Sequence, residues 1–102
     1  MTVSKEEKIS MILKDPDTPQ CVLQAYYASG DSFTRRRLAQ NKNLPQKLLQ
    51  KMSRDNDFIV RGYIAENPGC GSEILELLTS DSNEYVKITA KNKLTEKEQT
   101  GT

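Results

Sequence analysis

The sequence has no histidine and no tryptophan, and it contains only two cysteines, Cys21 and Cys70. Without histidine the chain has neither the usual general base nor the commonest metal ligand, and two distant cysteines provide neither a disulfide scaffold nor a zinc site. No apolar run approaches the roughly 18 residues of a membrane helix, and the polar stretch Met1–Ser10 lacks the apolar core of a signal peptide. These absences predict a soluble cytoplasmic domain without cofactor or metal.

The sequence also has no marked excess of positive or negative charge. The 15 basic and 14 acidic residues leave a net charge of +1 on 102 residues, which argues against a dedicated nucleic-acid binder. The charge is nevertheless uneven, because residues 31–63 hold eight basic and three acidic side chains, whereas residues 64–102 hold four and seven. A positive middle segment predicts attraction of an anionic partner.

What the sequence does contain is an internal repeat. The stretch 38–42 returns with conservative changes as the stretch 64–68, an offset of 26 residues, and the same offset aligns most of the chain. Several aligned positions are apolar in nearly every copy, and the position of Arg35, Arg61 and Lys87 is always basic. We interpret the chain as one domain with an N-terminal capping helix (1–14), three repeats (15–40, 41–66, 67–92) and a polar tail (93–102) that frays from about Thr95.

Each repeat contains two segments with helical spacing of apolar residues, and no segment alternates as a strand does. Capping boxes are predicted at Ser4 to Glu7 and at Asp81 to Glu84. The fold class is therefore predicted as all-α, with a helix at 4–14 followed by the pairs 19–29/33–40, 45–54/58–66 and 71–80/84–92. The predicted core comprises Leu23, Leu49, Val60, Ile64, Leu75 and Val86.

These residues resemble the leucine-rich repeat variant family and, more loosely, HEAT-like α-solenoids. The resemblance lies in the segment 38–49, which begins Leu-Ala-x-Asn and ends Pro-x-x-Leu-Leu, and in the segment 55–68, which begins Asp-x-Asp-x-x-Val-Arg and ends Asn-Pro. It implies a short right-handed superhelix used as a binding surface, and spacings such as Asp55 to Arg61 look like an acidic–basic ladder. The period is slightly longer than in the variant family, and the first repeat departs at Ser29 and Thr34. The iron–sulfur domain of some members has no counterpart here.

An enzymatic function is not predicted. The acidic residues Asp31, Asp55, Asp57 and Asp81 recur with the repeat, so helix capping and pairing with Arg61 or Lys87 account for them better than a catalytic pair does. A HEAT-like glycosylase is the enzymatic alternative, but such enzymes are much longer chains. The two cysteines are expected to be chemically idle thiols.

The candidate binding residues lie on the second helix of each repeat. Arg36 and Arg37 have no basic counterparts in the other repeats, and Phe58 is aromatic where the other copies are polar. Tyr27 and Ile88 are similar apolar outliers, and we expect outliers to be exposed. The predicted partner-binding site consists of Arg35, Arg36, Arg37, Phe58, Arg61 and Lys87.

Three interpretations of this surface remain open. It is a solvated helical face, a site for a protein with an acidic patch, or a nucleic-acid site that follows phosphates with its basic residues. We expect a non-enzymatic protein-interaction module that is a monomer or a weak homodimer, with nucleic-acid binding as the alternative. The convex surface around Tyr27, Lys51 and Leu77 is the second place to look for a site.

Overall fold

The all-α class is confirmed. A computed structural model describes residues 4–100, with side chains through residue 98, and within that range the chain forms seven helices and no strand. The helices are α1 (Lys5–Lys14), α2 (Gln20–Ser29), α3 (Ser32–Leu38), α4 (Gln46–Met52), α5 (Phe58–Glu66), α6 (Ser72–Leu78) and α7 (Glu84–Thr100).

Short polar side chains cap the N-termini of several of these helices by accepting hydrogen bonds from main-chain N–H groups of the first turn. The predicted cap of α1 is present, since Ser4 Oγ accepts from the Glu7 N–H at 3.1 Å. Helix α7 begins differently from the prediction, because Asn83 rather than Asp81 accepts from the Val86 N–H, at 3.2 Å. The Asp81 carboxylate is engaged elsewhere, in a contact described below.

The odd-numbered helices form a continuous row in which α3 contacts α1 and α5, and α5 contacts α7. The even-numbered helices pack against this row, α2 on α3, α4 on α5, and α6 on both α5 and α7. The molecule measures 46 × 29 × 26 Å along its principal axes. Two kinds of surface result, one presented by the odd-numbered helices and one by the even-numbered helices.

Apolar side chains from both sets of helices meet in a single core. All six residues predicted to be core are buried, none more than 1% exposed. Leu13, Leu38, Met52 and Ala90 are also fully buried. Burial of such side chains stabilises a fold by roughly 1.5–3 kcal/mol each.

The end of the last helix differs from the prediction. Helix α7 does not end near residue 92 but continues to Thr100, because the Asn-Pro pair that ends α5 at residues 67–68 has no counterpart after Asn92. Leu94 also packs against the core from this extension. Phe33 and Tyr85, which occupy a position that is apolar in every aligned copy, are 62% and 44% exposed.

Candidate functional site

The basic position that recurs every 26 residues forms ion pairs between successive helices. Arg35 Nε donates to Asp55 Oδ2 at 2.8 Å, and Arg61 Nε donates to Asp81 Oδ2 at 2.8 Å. The side chains are largely buried, with 19% and 15% of the two arginines and 3% and 8% of the two aspartates exposed. These arginines therefore hold the row of helices together rather than face solvent as a binding surface.

The ion pairs connect residues of successive repeats, whereas the prediction places them within one repeat. Asp55 was expected to pair with Arg61 in its own repeat, but its carboxylate binds Arg35 of the preceding one, 20 residues back. Arg61 instead donates from Nη1 to the main-chain oxygen of Asp55 at 2.7 Å, and its Nε reaches forward to Asp81. Lys87 continues the column only as a half-buried residue that pairs within its own helix, where its Nζ lies 3.5 Å from Glu84 Oε2.

A second ladder consists of buried asparagines that the sequence analysis aligned without giving them a role. Asn41 Nδ2 donates to the main-chain oxygens of Leu13 (2.7 Å) and Asp15 (2.9 Å). Asn67 Nδ2 repeats this geometry 26 residues later with Ala39 (2.9 Å) and Asn41 (2.7 Å). In both cases Oδ1 accepts the N–H two residues on, at 2.8 Å. The amides thus satisfy carbonyl groups at the end of the preceding odd-numbered helix.

The two remaining arginines of the predicted site have other partners. Arg36 Nε donates to Asp57 Oδ2 at 2.7 Å, and the Arg37 guanidinium lies 5.2 Å from the centre of the Phe33 ring. The pKa of Arg35 and that of Arg36 both lie above the ordinary value of an arginine, and the main cause is the hydrogen bond each makes to an aspartate. The predicted basic surface is therefore largely neutralised by acidic neighbours.

The ion pairs also shift the pKa values of the aspartates. The hydrogen bond from Arg36 lowers the pKa of Asp57 below its ordinary 3.8. Partial burial raises the pKa of Asp81, but the hydrogen bonds from Arg61 and from the Asn83 N–H outweigh it, so that this pKa also lies below 3.8. Both carboxylates are accordingly ionised throughout the neutral range.

Lowering the pH should destabilise the fold, because the carboxylates of Asp57 and Asp81 become protonated. Because the pKa is depressed in the folded state, the unfolded chain binds more protons, and the free energy of unfolding falls as the pH drops below about 5 and through the folded-state pKa. Urea unfolding at neutral pH and near pH 3 measures the loss. The Asp81→Asn variant, which does not titrate at this position, should lose less free energy over the same interval. An equal loss in both proteins would show that Asp81 does not contribute.

The large apolar side chains that remain exposed are concentrated on the odd-numbered helices. We define the odd-helix face by Met11 of α1, Phe33 of α3, Phe58 of α5, and Tyr85 and Ile88 of α7, whose residues are 43–64% exposed. Phe58 and Ile88 are thus exposed as predicted. The even-numbered helices contribute a single exposed large apolar residue among those described, Leu77 at 51%.

Tyr27 is the predicted outlier that is not freely exposed. Its hydroxyl donates to Asp55 Oδ2 at 2.9 Å, and Lys51 Nζ lies 5.9 Å from the centre of its ring. Partial burial, followed by the bond to Asp55, raises the pKa of Tyr27 to about 12. The phenol is therefore a neutral hydrogen-bond donor that fixes the ring beside α4.

The acidic residues and cysteines of residues 4–98 do not gather into a metal-binding cluster. The side chains described there include no cluster of three or more potential metal ligands. Burial raises the pKa of the Cys70 thiol to about 11, which keeps it protonated, and Cys21 is exposed and unpaired by disulfide. No helix in the described range is long and apolar enough to cross a membrane.

Comparison with known proteins gives no further guide to function. No protein-family model matches the chain, and neither a curated protein nor a solved structure is significantly similar to it.

Proposed function

We propose that the chain is a short right-handed α-solenoid of three repeats of about 26 residues, and that it acts as a non-enzymatic protein-interaction module. The proposal of a solenoid is supported by contacts that recur at the repeat offset, the Arg–Asp pairs and the Asn ladder. In such a stack α3, α5 and α7 are the second helices of the repeats, and the capping helix α1 continues their row. A partner protein lies across the odd-helix face.

The observation that carries this proposal is the distribution of exposed apolar side chains. Phe33 is 62% exposed and Ile88 49% exposed on the same row of helices, and exposed apolar patches are typical of protein interaction sites. Aromatic side chains are enriched among the residues that dominate binding energy at protein interfaces. Apolar contacts, rather than the arginines predicted from the sequence, are thus the main attraction of this face.

The partner predicted from the sequence, a protein with an acidic patch, needs cations that are free to meet it. On this face Arg35, Arg36 and Arg61 are already paired with aspartates. The same pairing disfavours nucleic-acid binding here, because phosphate contacts require accessible basic groups. We therefore assign this face to apolar segments of a partner protein, with Arg37 and Lys87 at its margin.

The test uses the immobilised chain and a lysate of its native host. Phe33→Ala and Phe58→Ala should each reduce the recovery of the specific partner by about fivefold or more, as expected for truncation of a residue that contributes over 1 kcal/mol to binding. Leu77→Ala is the comparison variant for the other surface, since it truncates a similarly exposed apolar residue on α6. Recovery is quantified by mass spectrometry, and circular dichroism confirms that each variant is folded.

If recovery falls with Leu77→Ala and not with the two phenylalanine variants, the site does not lie on the odd-helix face. Arg35→Glu is not a useful variant for this purpose. It would place a second carboxylate against Asp55, whose side chain is 3% exposed, so that any loss of binding would report damage to the fold.

A further inference from the structure

Three exposed cations of the middle repeat, Lys47, Lys51 and Arg54, lie on α4 and the turn after it. Among the described residues, the ion pairs involve Arg35, Arg36, Arg61, Lys87 and Lys93, and none of them involves these three. Part of the positive charge of the middle segment is therefore available on α4 and the turn after it.

The repeat does not require these three cations. Lys47 aligns with Cys21 and Glu73, Lys51 with Ala25 and Leu77, and Arg54 with Ala28 and Ser80. The arginines that form the ladder, in contrast, recur as Arg35 and Arg61 because each has a structural partner. Cations confined to one repeat and lacking a structural partner need another explanation.

These cations surround an open groove between α2 and α6. Their spacing of four and then three residues places Lys47, Lys51 and Arg54 on one side of α4. The groove is also lined by Tyr27 from α2, which the bond to Asp55 holds in place, and by Leu77 from α6. We call this set of Tyr27, Lys47, Lys51, Arg54 and Leu77 the outer basic patch.

The residues that line the groove favour an acidic protein segment over a nucleic acid as the anionic ligand. Its lining includes three basic residues and one acidic residue, Glu73, next to the apolar side chains of Ile74 and Leu77. A nucleic acid would use the Tyr27 ring to stack a base, but Lys51 lies over that ring. Leu77, at 51% exposed, offers a contact for an apolar side chain instead.

We infer that the outer basic patch binds an acidic segment of a protein, with carboxylates on Lys47, Lys51 and Arg54 and an apolar side chain on Leu77. This inference goes beyond the proposed function, because it concerns the even-numbered helices and does not depend on the odd-helix face. Opposite charges speed encounter with an acidic partner. The apolar contact adds selectivity that charge alone does not provide.

The experiment measures binding of a short fluorescein-labelled peptide in which pairs of glutamates alternate with leucines, by anisotropy at low salt. Lys51→Glu/Arg54→Glu should weaken binding at least ~10-fold. Lys14→Glu/Lys91→Glu is the matched control, because it makes the same change in net charge at exposed residues of α1 and α7, and it should weaken binding less than ~3-fold by general charge alone. Leu77→Ser should weaken binding of this peptide but not of a version with serine in place of leucine.

The inference is overturned if the leucine peptide does not bind, if both charge-reversal variants weaken binding equally, or if the serine peptide binds as well as the leucine peptide. Tighter binding of an oligothymidylate than of the leucine peptide would overturn it in favour of nucleic acid. Phe33→Ala and Phe58→Ala should leave binding of the peptide unchanged. The outcome is thus independent of whether the odd-helix face binds a partner.

Discussion

Asn67→Asp is expected to destabilise the fold by at least about 4 kcal/mol at neutral pH, because it leaves an uncompensated charge in a buried site. The Asn67 residue is 6% exposed, and its Nδ2 donates to the main-chain oxygens of Ala39 and Asn41 at 2.9 and 2.7 Å. An aspartate of the same shape has no N–H to donate and would set a negative charge against both oxygens. Since domains of this size are stable by only about 5–15 kcal/mol, much of the population should unfold.

Urea unfolding followed by circular dichroism measures the effect, and Asp15→Asn is the matched control. Asp15 occupies the equivalent position 26 residues before Asn41, but it is exposed, and its carboxylate accepts from the Asp17 N–H at 2.9 Å. Its change to asparagine should alter stability by less than about 0.5 kcal/mol, as is usual at the surface. If Asn67→Asp were equally mild, the buried amide would not be an essential link between the helices.

Asp55→Ala is expected to cost about 3 kcal/mol, since breaking a buried ion pair strands its partner. The Asp55 carboxylate accepts from Arg35, from the Tyr27 hydroxyl and from the Asp57 N–H. Only 3% of its side chain is exposed, whereas 19% of Arg35 is, so the stranded guanidinium regains part of its hydration. The expectation of a weak surface pair, natural from the sequence, underestimates this contact.

The exposed pair of Lys87 and Glu84 provides the comparison. Because the Glu84 side chain is 74% exposed, Glu84→Ala should change the free energy of unfolding by no more than about 1 kcal/mol. Adding Arg35→Met to Asp55→Ala should recover part of the lost stability, because no charge is then left without a partner. A cost of Asp55→Ala as small as that of Glu84→Ala would refute a structural role for the Arg–Asp ladder.

The periodicity of the sequence was sufficient to predict the class of the fold and its core. Ile64 lies at a position that is apolar in all three aligned copies, Val60 and Val86 at one that is apolar in two of them, and all three are fully buried. Helix α7 shows where this reasoning fails. Alignment transferred the end of α5 to residue 92, although the residues that break the earlier helix are not repeated there.

Periodicity predicted which residues form the ladders but not which copies they connect. Alignment shows that Asp55 and Arg61 recur together, and this is equally consistent with pairing inside a repeat and between repeats. The three-dimensional distance between neighbouring helices decides the matter, and Asp55 binds Arg35. The same geometry accounts for Ser29, which stands in the first repeat where later repeats have the aspartate. The partner of that position would be the residue at the basic position one copy earlier, and this residue is Ile9, which carries no charge.

The candidate site was harder to predict than the fold. Phe33 and Tyr85 follow an apolar period that is typical of a core, and sequence alone does not separate a core stripe from an exposed binding stripe. The conspicuous cluster Arg35 to Arg37 drew attention to α3, yet two of its members are paired with aspartates. Arg35 and Arg61 recur with the period and each has a structural partner. The unrepeated Arg36 also has one, Asp57, so recurrence alone does not separate structural arginines from binding arginines.

The asparagine ladder has a consequence for assembly. A row of similar helices can present at each end a surface like its own internal contacts, so that copies joined head to tail would grow into open filaments. Here the first position of the ladder is Asp15, which has no N–H to donate, and the position after Asn67 is Lys93, within a helix that runs on to Thr100. The contacts that join α1 to α3 and α3 to α5 each need an asparagine donor and the end of a helix. A second molecule placed against α7 would bring Asp15 in place of the donor and would meet a helix that does not end at this position. The substitutions that interrupt the ladder therefore also oppose polymerisation of the folded protein.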